Sequence, residues 1–436
     1  MRNAGHMSED LSLIAEEFFT ALQARCIRAD RIGPNVCLEL ENGTVTGAGA
    51  VCDALTNAIR QVEEMHVGPL RTNGTSAGTW LHMRQRGNDS AVPLWVDVNV
   101  RSRLINRIAV TPGWLEGNPE HSPRRVRIIT YHRFNRDNAV SGLRAQCELL
   151  ASEYRPMSIT QAFEQDTKQS SVTPPPIVVS VDDGHADFYS VAAPIFRSYG
   201  IPVVCFVVTS FLDGSWLWPD VVDYLIETSS CVDISIPLSF GSLGPLSLTS
   251  VAERRESSLV LKEALKMIPN AERCQAIDYL QHAAKSPLPE TPPQHFAPLT
   301  WNQVRELAAT TAVTFGAHTV SHPILSRIES FDQIRFEVLG SKARMEEVLD
   351  MPVSHFAYPN GGPTDFDART LEAVQDAGFK TAVTTIPGTN TQESAPFHLR
   401  RIWVEPSQSE NSFRARLNGC VPKLEFHDSL SRDLAL

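Results

Sequence analysis

The chain has 436 residues, 42% hydrophobic and 20% charged, enough for two or three domains with full cores. Its formal net charge of −11 argues against general binding to nucleic acid or to anionic membranes, both of which need a basic surface. The eight cysteines are scattered with no CxxC pair, as free thiols in a reducing cytoplasm would be, and support neither a disulfide framework nor a cysteine metal site.

The first residues read as an amphipathic helix, with Leu11, Ile14, Ala15, Phe18, Phe19 and Leu22 at helical spacing. They lack the charged start, unbroken apolar run and small-residue cleavage site of a signal peptide, so a cytoplasmic location is expected. No apolar run reaches the length of a membrane span. A strand at "VCLELE", a turn at Asn42-Gly43 and a second helix follow. Then come "GTWLHMRQRG" and "VPLWVDVNVRSRLINRIAVTPGW", alternating strands joined by a turn, in which Leu94, Val96, Val98 and Val100 share one face. Helices followed by a curled antiparallel sheet predict an α+β domain over residues 1–118. The layout resembles the cone-shaped domains similar to nuclear transport factor 2 and the SnoaL-type cyclases. That resemblance implies either a pocket, lined by Trp80, His82, Trp95 and Asp97, or a homodimer interface. A plain sheet core accounts for the same four residues.

Residues 119–125, within "GNPEHSPRR", read as a linker. Over 126–436 strands alternate with helices, which predicts a parallel sheet, either a barrel or an open doubly wound one. "VRIITYH", "PPIVVSVDDG" and "IPVVCFVVTSF" read as strands, and "ADFYSVAAPIFRSYG" as a helix closed by Gly200. Residues 214–298 read as an insertion, irregular except for a helix around "SSLVLKEALKMI". Capping boxes at Thr300–Gln303 and Ser330–Gln333 start two further helices. "AVTFGAH", "VSHFAYPNG", "KTAVTTI" and "HLRRIWV" read as strands, and "DFDARTLEAVQDAG" as a helix with Asp365 and Asp367 at its start and Gly378 at its end.

In such folds reactive groups gather where strands end. One strand runs into Asp182-Asp183-Gly184. Adjacent carboxylates repel and lose hydration near a core, so a cation is expected beside them. A second strand leads to His318 and His322, and a third ends in His132. Pro323 disfavours the helical region for His322 and itself suits a first helical turn. His322 is therefore expected at a helix entrance, with His318 at the strand end before it. Two imidazoles and one carboxylate leave open positions on a divalent ion, as a catalytic zinc site requires. Successive strand side chains point to opposite faces, so one aspartate can bind the ion while the other stays free. Gly184 lets the chain bend so that both still face the mouth. A bound ion lowers the pKa of a water from about 15.7 toward ~7, and the free carboxylate can take its proton. A leaving amine then needs an acid, a task that suits a histidine.

"SVDDGHAD", "HTVSH" and "FAYPNG", in this order, resemble the first three motifs of the NodB-homology polysaccharide deacetylases, carbohydrate esterase family 4. The resemblance extends over roughly residues 126 to 405 and is weakest in the insertion. It implies a distorted (β/α) barrel, a divalent ion that is usually zinc, Asp182 as catalytic base, and Asp183, His318 and His322 as metal ligands. The implied reaction removes an N- or O-acyl group, usually acetyl, from a sugar. The chain departs from the pattern in three places. Ala357 stands where an arginine usually orients the base. Asn360 stands where a tyrosine usually lends its backbone N–H to the oxyanion, a contact that Asn360 can still make. The late Leu-x-x-His motif that supplies the acid is missing, and His398 lies near its place in the wrong context. Arg401, or its neighbour Arg400, is a candidate for the missing arginine. Some members resemble a circular permutation with the acid histidine in an early "YH" strand, and His132 matches that arrangement.

His185 and Asp187 read as caps of the following helix, and Trp216 and Trp218 either as sugar-stacking surfaces or as core of the insertion. The expected activity is metal-dependent removal of an acyl group, N-acetyl foremost, from an amino sugar in an oligosaccharide, polysaccharide or glycosylated metabolite. The same residues also describe an inactive glycan-binding barrel, or a non-haem iron oxygenase with two histidines and one carboxylate. The intact Asp182, Asp183, His318 and His322 set argues against the first. The usual oxygenase carboxylate lies close to the first histidine in sequence, which argues against the second.

Overall fold

The computed structural model describes residues 125–135, 138–164, 174–239, 241–391 and 393–417, and, as backbone, 32–40, 43–46, 62–67, 71–73, 76–85, 91–101 and 104–112. The two helices expected near the N-terminus, and the side chains of Trp80, His82, Trp95 and Asp97, lie outside the described residues. The chain divides into two compact units, one chiefly of Met1–Ser122 and the other chiefly of Pro123–Arg414.

The N-terminal unit contains β1 (Ile32–Leu40), β2 (Gly43–Thr46), β3 (Val62–Val67), β4 (Arg71–Asn73), β5 (Ser76–Gln85), β6 (Ala91–Arg101) and β7 (Leu104–Pro112). They form one sheet in the order β2-β1-β7-β6-β5-β3, with β4 also on β5. All pairings are antiparallel except β1 with β7, which is parallel. β2 pairs antiparallel with β1, with Leu40 opposite Gly43, and the expected turn at Asn42 lies outside the described residues. The register shifts between Asn99 and Val100 and between Val62 and Glu64, irregularities that bend a sheet.

The second unit is built on β8 (Arg127–Tyr131), β9 (Arg155–Pro156), β10 (Pro176–Val181), β11 (Val203–Val207), β14 (Val313–Ala317), β15 (His355–Ala357), β16 (Thr381–Val383) and β17 (Ile402–Trp403). Their order is β16-β15-β14-β11-β10-β8-β17, with β9 beside β10, and every pairing is parallel. The sheet curls until its ends meet. Leu399, just before β17, donates to the Ala382 carbonyl at 3.0 Å and accepts from the Thr384 N–H at 2.8 Å. The result is a distorted (β/α) barrel, the closed one of the two arrangements that the alternation of elements allows and the one that the resemblance implies. β8, β10 and β11 are buried at every residue, which explains their near-continuous apolar runs. Thr130 and Ser180 interrupt those runs, and both hydroxyls serve the site described below. The Thr300 capping box is complete, and the Ser330 hydroxyl accepts from the Gln333 N–H.

The insertion is regular rather than irregular. It holds the helix Trp218–Thr228, a hairpin of β12 (Asp233–Leu238) and β13 (Gly241–Ser247), and the helices Val251–Lys266 and Asn270–Ala283. Val222, Leu225, Ile236, Leu261 and Leu280 are buried in a core of its own. Its elements are hidden in sequence by Gly241, Gly244 and Pro245 in the hairpin and by the lack of a capping side chain on the third helix.

Candidate active site

The strand end after β10 carries the first two groups. Asp182 still continues the ladder, its N–H donating to the Tyr131 carbonyl at 3.0 Å. The chain then turns through two left-handed residues, Asp183 at φ 75° and Gly184 at φ 91°. A Cβ on Gly184 would meet Val207 Cγ1 at 3.0 Å, so close packing as well as conformation reserves that position for glycine. The reversal at Asp183 separates the two carboxylates.

Asp182 points into the barrel and is 1% exposed. Arg401, equally buried, holds it with Nη1 to Oδ1 and Nη2 to Oδ2, both at 2.7 Å. The guanidinium spends its other hydrogens on the barrel wall. Nε donates to the Thr384 carbonyl at 2.8 Å, and Nη1 also reaches Thr130 Oγ1 at 3.0 Å and Ser180 Oγ at 3.2 Å. Burial alone would raise the Asp182 carboxyl. The charge of Arg401, together with its hydrogen bonds, outweighs it and holds the carboxyl well below the usual range. Arg400 is exposed, because adjacent residues of an extended chain face opposite sides.

Asp183 meets two histidines. Its Oδ1 lies 3.6 Å from His318 Nε2 and 3.5 Å from His322 Nε2, and one ligand atom from each of the three residues fits within a span of 4.8 Å. His318 follows β14 directly, and its Nδ1 donates to the Ala357 carbonyl at 2.7 Å, which leaves the Nε2 lone pair turned toward Asp183. His322 is not at an α-helix entrance. It is left-handed at φ 58°, and a single 3-10 turn, Leu325–Arg327, follows it. Burial, as the largest cause, keeps both imidazoles below the usual histidine range, so both are neutral. Burial, then the charges of Asp182 and Asp220, push the Asp183 carboxyl up to about 8. Two neutral imidazoles and a carboxylate short of positive charge fit a divalent cation.

His132, just past β8, lies with Nε2 3.8 Å from Asp182 Oδ2. The Trp403 indole N–H donates to its Nδ1 at 3.1 Å, so the hydrogen of the neutral ring sits on Nε2, facing Asp182. Desolvation pushes this imidazole down to about 4, against the opposing pull of Asp182. Asn360, three residues past β15, is left-handed at φ 57°. Its carbonyl accepts from Thr385 Oγ1, and its own N–H has no partner among the described residues. His398 is exposed and packs near Phe366 instead.

Other side chains support the site, and one of them, Glu337, carries no local signal in the sequence. Glu337, on the helix Phe331–Leu349, accepts from the N–H groups of Val320 (2.9 Å) and Ser321 (2.8 Å) and from the Ser321 hydroxyl, clamping the loop between the histidines. Asp187 accepts from the Phe134 N–H at 2.7 Å and so fixes the segment after His132. Trp218 is buried under the Arg273 guanidinium at 4.9 Å and donates to the His322 carbonyl at 3.1 Å. Trp216 packs on Tyr224 and Phe296 within the insertion. Asp367 caps its helix, and Asp365 accepts from the Gly362 N–H.

Residues 270–382 match the family model described as polysaccharide deacetylase; the match includes both site histidines and Asn360 and begins after the aspartate pair. A putative polysaccharide deacetylase of Bacillus subtilis, YxkH, is 27% identical over 117 residues, covering 27% of this chain and 40% of that protein. The chain thus matches less than half the length of this curated relative. The Streptococcus pyogenes deacetylase PplD, solved with acetate, aligns at 19% identity and a TM-score of 0.43, over 69% of this chain and 100% of that one. A de-N-acetylase from Aggregatibacter actinomycetemcomitans aligns at 17% identity and a TM-score of 0.44, over 67% and 99%. The family match thus falls on the segment that supplies His318 and His322, and over that segment the chain is similar to the polysaccharide deacetylases.

Proposed function

We propose that the chain removes an acyl group, acetyl foremost, from an amino sugar of an oligosaccharide, polysaccharide or glycosylated metabolite. Asp183, His318 and His322 would hold a divalent cation, zinc by the preference of imidazole-rich sets. One convergence supports this above all: an Asp183 oxygen and two imidazole nitrogens meet beside a second carboxylate, Asp182, that is kept ionised. When bound, the cation supplies Lewis acidity to a water and to the acyl oxygen.

The remaining work falls to the chain. Asp182, oriented by Arg401, accepts the proton of the attacking water. A carboxylate so acidic passes that proton on rather than storing it. His132 turns its Nε2 hydrogen toward the same place and would deliver it to the leaving nitrogen in concert with transfer of the proton on Asp182 across the 3.8 Å gap to Nε2, so that the ring stays neutral. The Asn360 N–H donates to the acyl oxygen as charge gathers there. Incubation of zinc-loaded protein with acetylated chitooligosaccharides and a wider acyl-sugar panel tests the proposal. Acetate release that stops on chelation is expected. Zinc-loaded protein inert on the whole panel would favour a glycan-binding role, and oxygen consumption with bound iron would favour an oxygenase.

A further inference from the structure

The two candidate metal histidines are held in different ways. His318 is fixed through its ring, with Nδ1 donating to the Ala357 carbonyl. The His322 ring has no such anchor, since its buried Nδ1 has no hydrogen-bond partner among the described residues. Histidines that bind a metal usually pass their second ring N–H to a carboxylate, a carbonyl or a water, which fixes the ring plane. For His322 that task falls to the backbone.

The backbone here is left-handed twice within four residues, at Thr319 (φ 68°) and at His322 (φ 58°). A residue with a Cβ keeps this conformation only where its surroundings hold it. Relaxation of His322 to an ordinary φ would swing its Cβ and take Nε2 out of its 3.5 Å approach to Asp183 Oδ1. Two side chains grip the His322 backbone from either side. Thr319 Oγ1 accepts from its N–H at 3.0 Å. The Trp218 indole N–H donates to its carbonyl at 3.1 Å, from 104 residues away.

Trp218 opens the insertion helix Trp218–Thr228 and is itself clamped. The Arg273 guanidinium, from the third helix of the insertion, lies 4.9 Å over its ring and is tied to Asn270 Oδ1 at 2.5 Å. The helix start is also pinned to the aspartate turn, because Asp220 Oδ2 accepts from His185 Nε2 at 2.8 Å. Buried and covered in this way, Trp218 is not a sugar-stacking surface.

We propose that Trp218 is a positioning residue for His322, holding its left-handed peptide so that Nε2 faces Asp183, and that the insertion through this contact completes the metal centre. The proposal rests on the assignment of Asp183, His318 and His322 as the cation site. Outer partners of metal ligands set affinity by pre-orienting the donor, and their loss typically costs about 10–100-fold in metal binding.

The test is zinc titration of the full chain against a chromophoric chelator, with metal-free melting followed in parallel. Trp218→Phe removes the N–H and should weaken zinc binding by about tenfold or more. Benzothienylalanine placed at position 218 keeps the bicyclic ring and lacks the N–H. It should weaken zinc binding as well, and it carries the comparison if Trp218→Phe fails to fold. Ile236→Ala opens the insertion core away from the site's polar contacts, so it should lower the metal-free melting point and leave zinc affinity unchanged. Unchanged affinity with benzothienylalanine would make Trp218 a packing residue and overturn the proposal. A loss in Ile236→Ala as large as that of the Trp218 variants would overturn it too, because the insertion would then act through general stability. Wild-type protein that binds no zinc would overturn this proposal and the cation site together, whereas wild-type binding with unaffected Trp218 variants overturns this proposal alone.

Discussion

Arg401 grips Asp182 through two parallel hydrogen bonds of 2.7 Å, although the two residues are 219 positions apart. The contact sits where the curled sheet closes on itself, so one side chain both orients the candidate base and joins the barrel ends. Lysine cannot reproduce the planar fork. Arg401→Lys should therefore lower kcat by about a hundredfold, and Arg401→Ala should in addition cost about 3–5 kcal/mol of stability by leaving Asp182 buried and unpaired. Turnover and urea unfolding of both variants check this.

The same contact sets a pH dependence. The Asp182 carboxyl is depressed in the fold, so its contribution to stability is complete above the unfolded value near ~4. That contribution is lost as pH falls from there through the folded value. In Arg401→Lys the acid limb of kcat/KM should move to higher pH, read from the rate profile.

Asp182→Asn keeps the shape and removes the proton acceptor. Turnover should drop by about a hundredfold or more while one zinc per chain remains, measured by metal analysis of the same sample. A variant that loses zinc as well would move Asp182 into the ligand set.

Zinc affinity should depend on pH through Asp183. With its carboxyl pushed up to about 8 in the metal-free protein, a proton must leave before the cation binds. Affinity should be flat above about pH 8 and fall as pH drops below it, with proton release detectable by calorimetry in buffers of different ionisation enthalpy.

Glu337→Ala frees three donors in the loop between the histidines. It should weaken zinc binding by about tenfold and lower stability by about 1–3 kcal/mol. Chelator competition and thermal melting report the two effects separately.

Trp403→Phe removes the indole donor from His132 Nδ1, so the ring can carry its hydrogen on either nitrogen. Turnover should fall, by less than the ~10²–10⁴-fold expected of His132→Ala, and the ring nitrogen shifts in NMR should report the mixed tautomer.

Asp182, Asp183, His318 and His322 are legible in the sequence because local signals mark them, a strand ending in paired carboxylates with a glycine and a histidine pair beside a proline. Arg401 is legible only as one of two neighbours, because choosing it over Arg400 needs the phase of the last strand relative to the barrel interior. Asp220, Glu337 and Trp403 carry no such mark. Each is an ordinary helix or strand residue until tertiary packing brings it against His185, the Val320–Ser321 backbone or His132. His185 looks like a helix cap because its partner lies in the insertion, whose hairpin is hidden by its glycines and Pro245. The left-handed turn of His322 is equally hidden, since the proline rule disfavours a right-handed helical residue without selecting what replaces it.

The most direct measurement pairs metal analysis with acetate release from an acetylated chitooligosaccharide for the wild type and His318→Ala. The wild type should carry one divalent cation, lose turnover on chelation and regain it with zinc, while His318→Ala should lose both metal and turnover. Undiminished acetate release from metal-free protein, or from His318→Ala, would contradict the account.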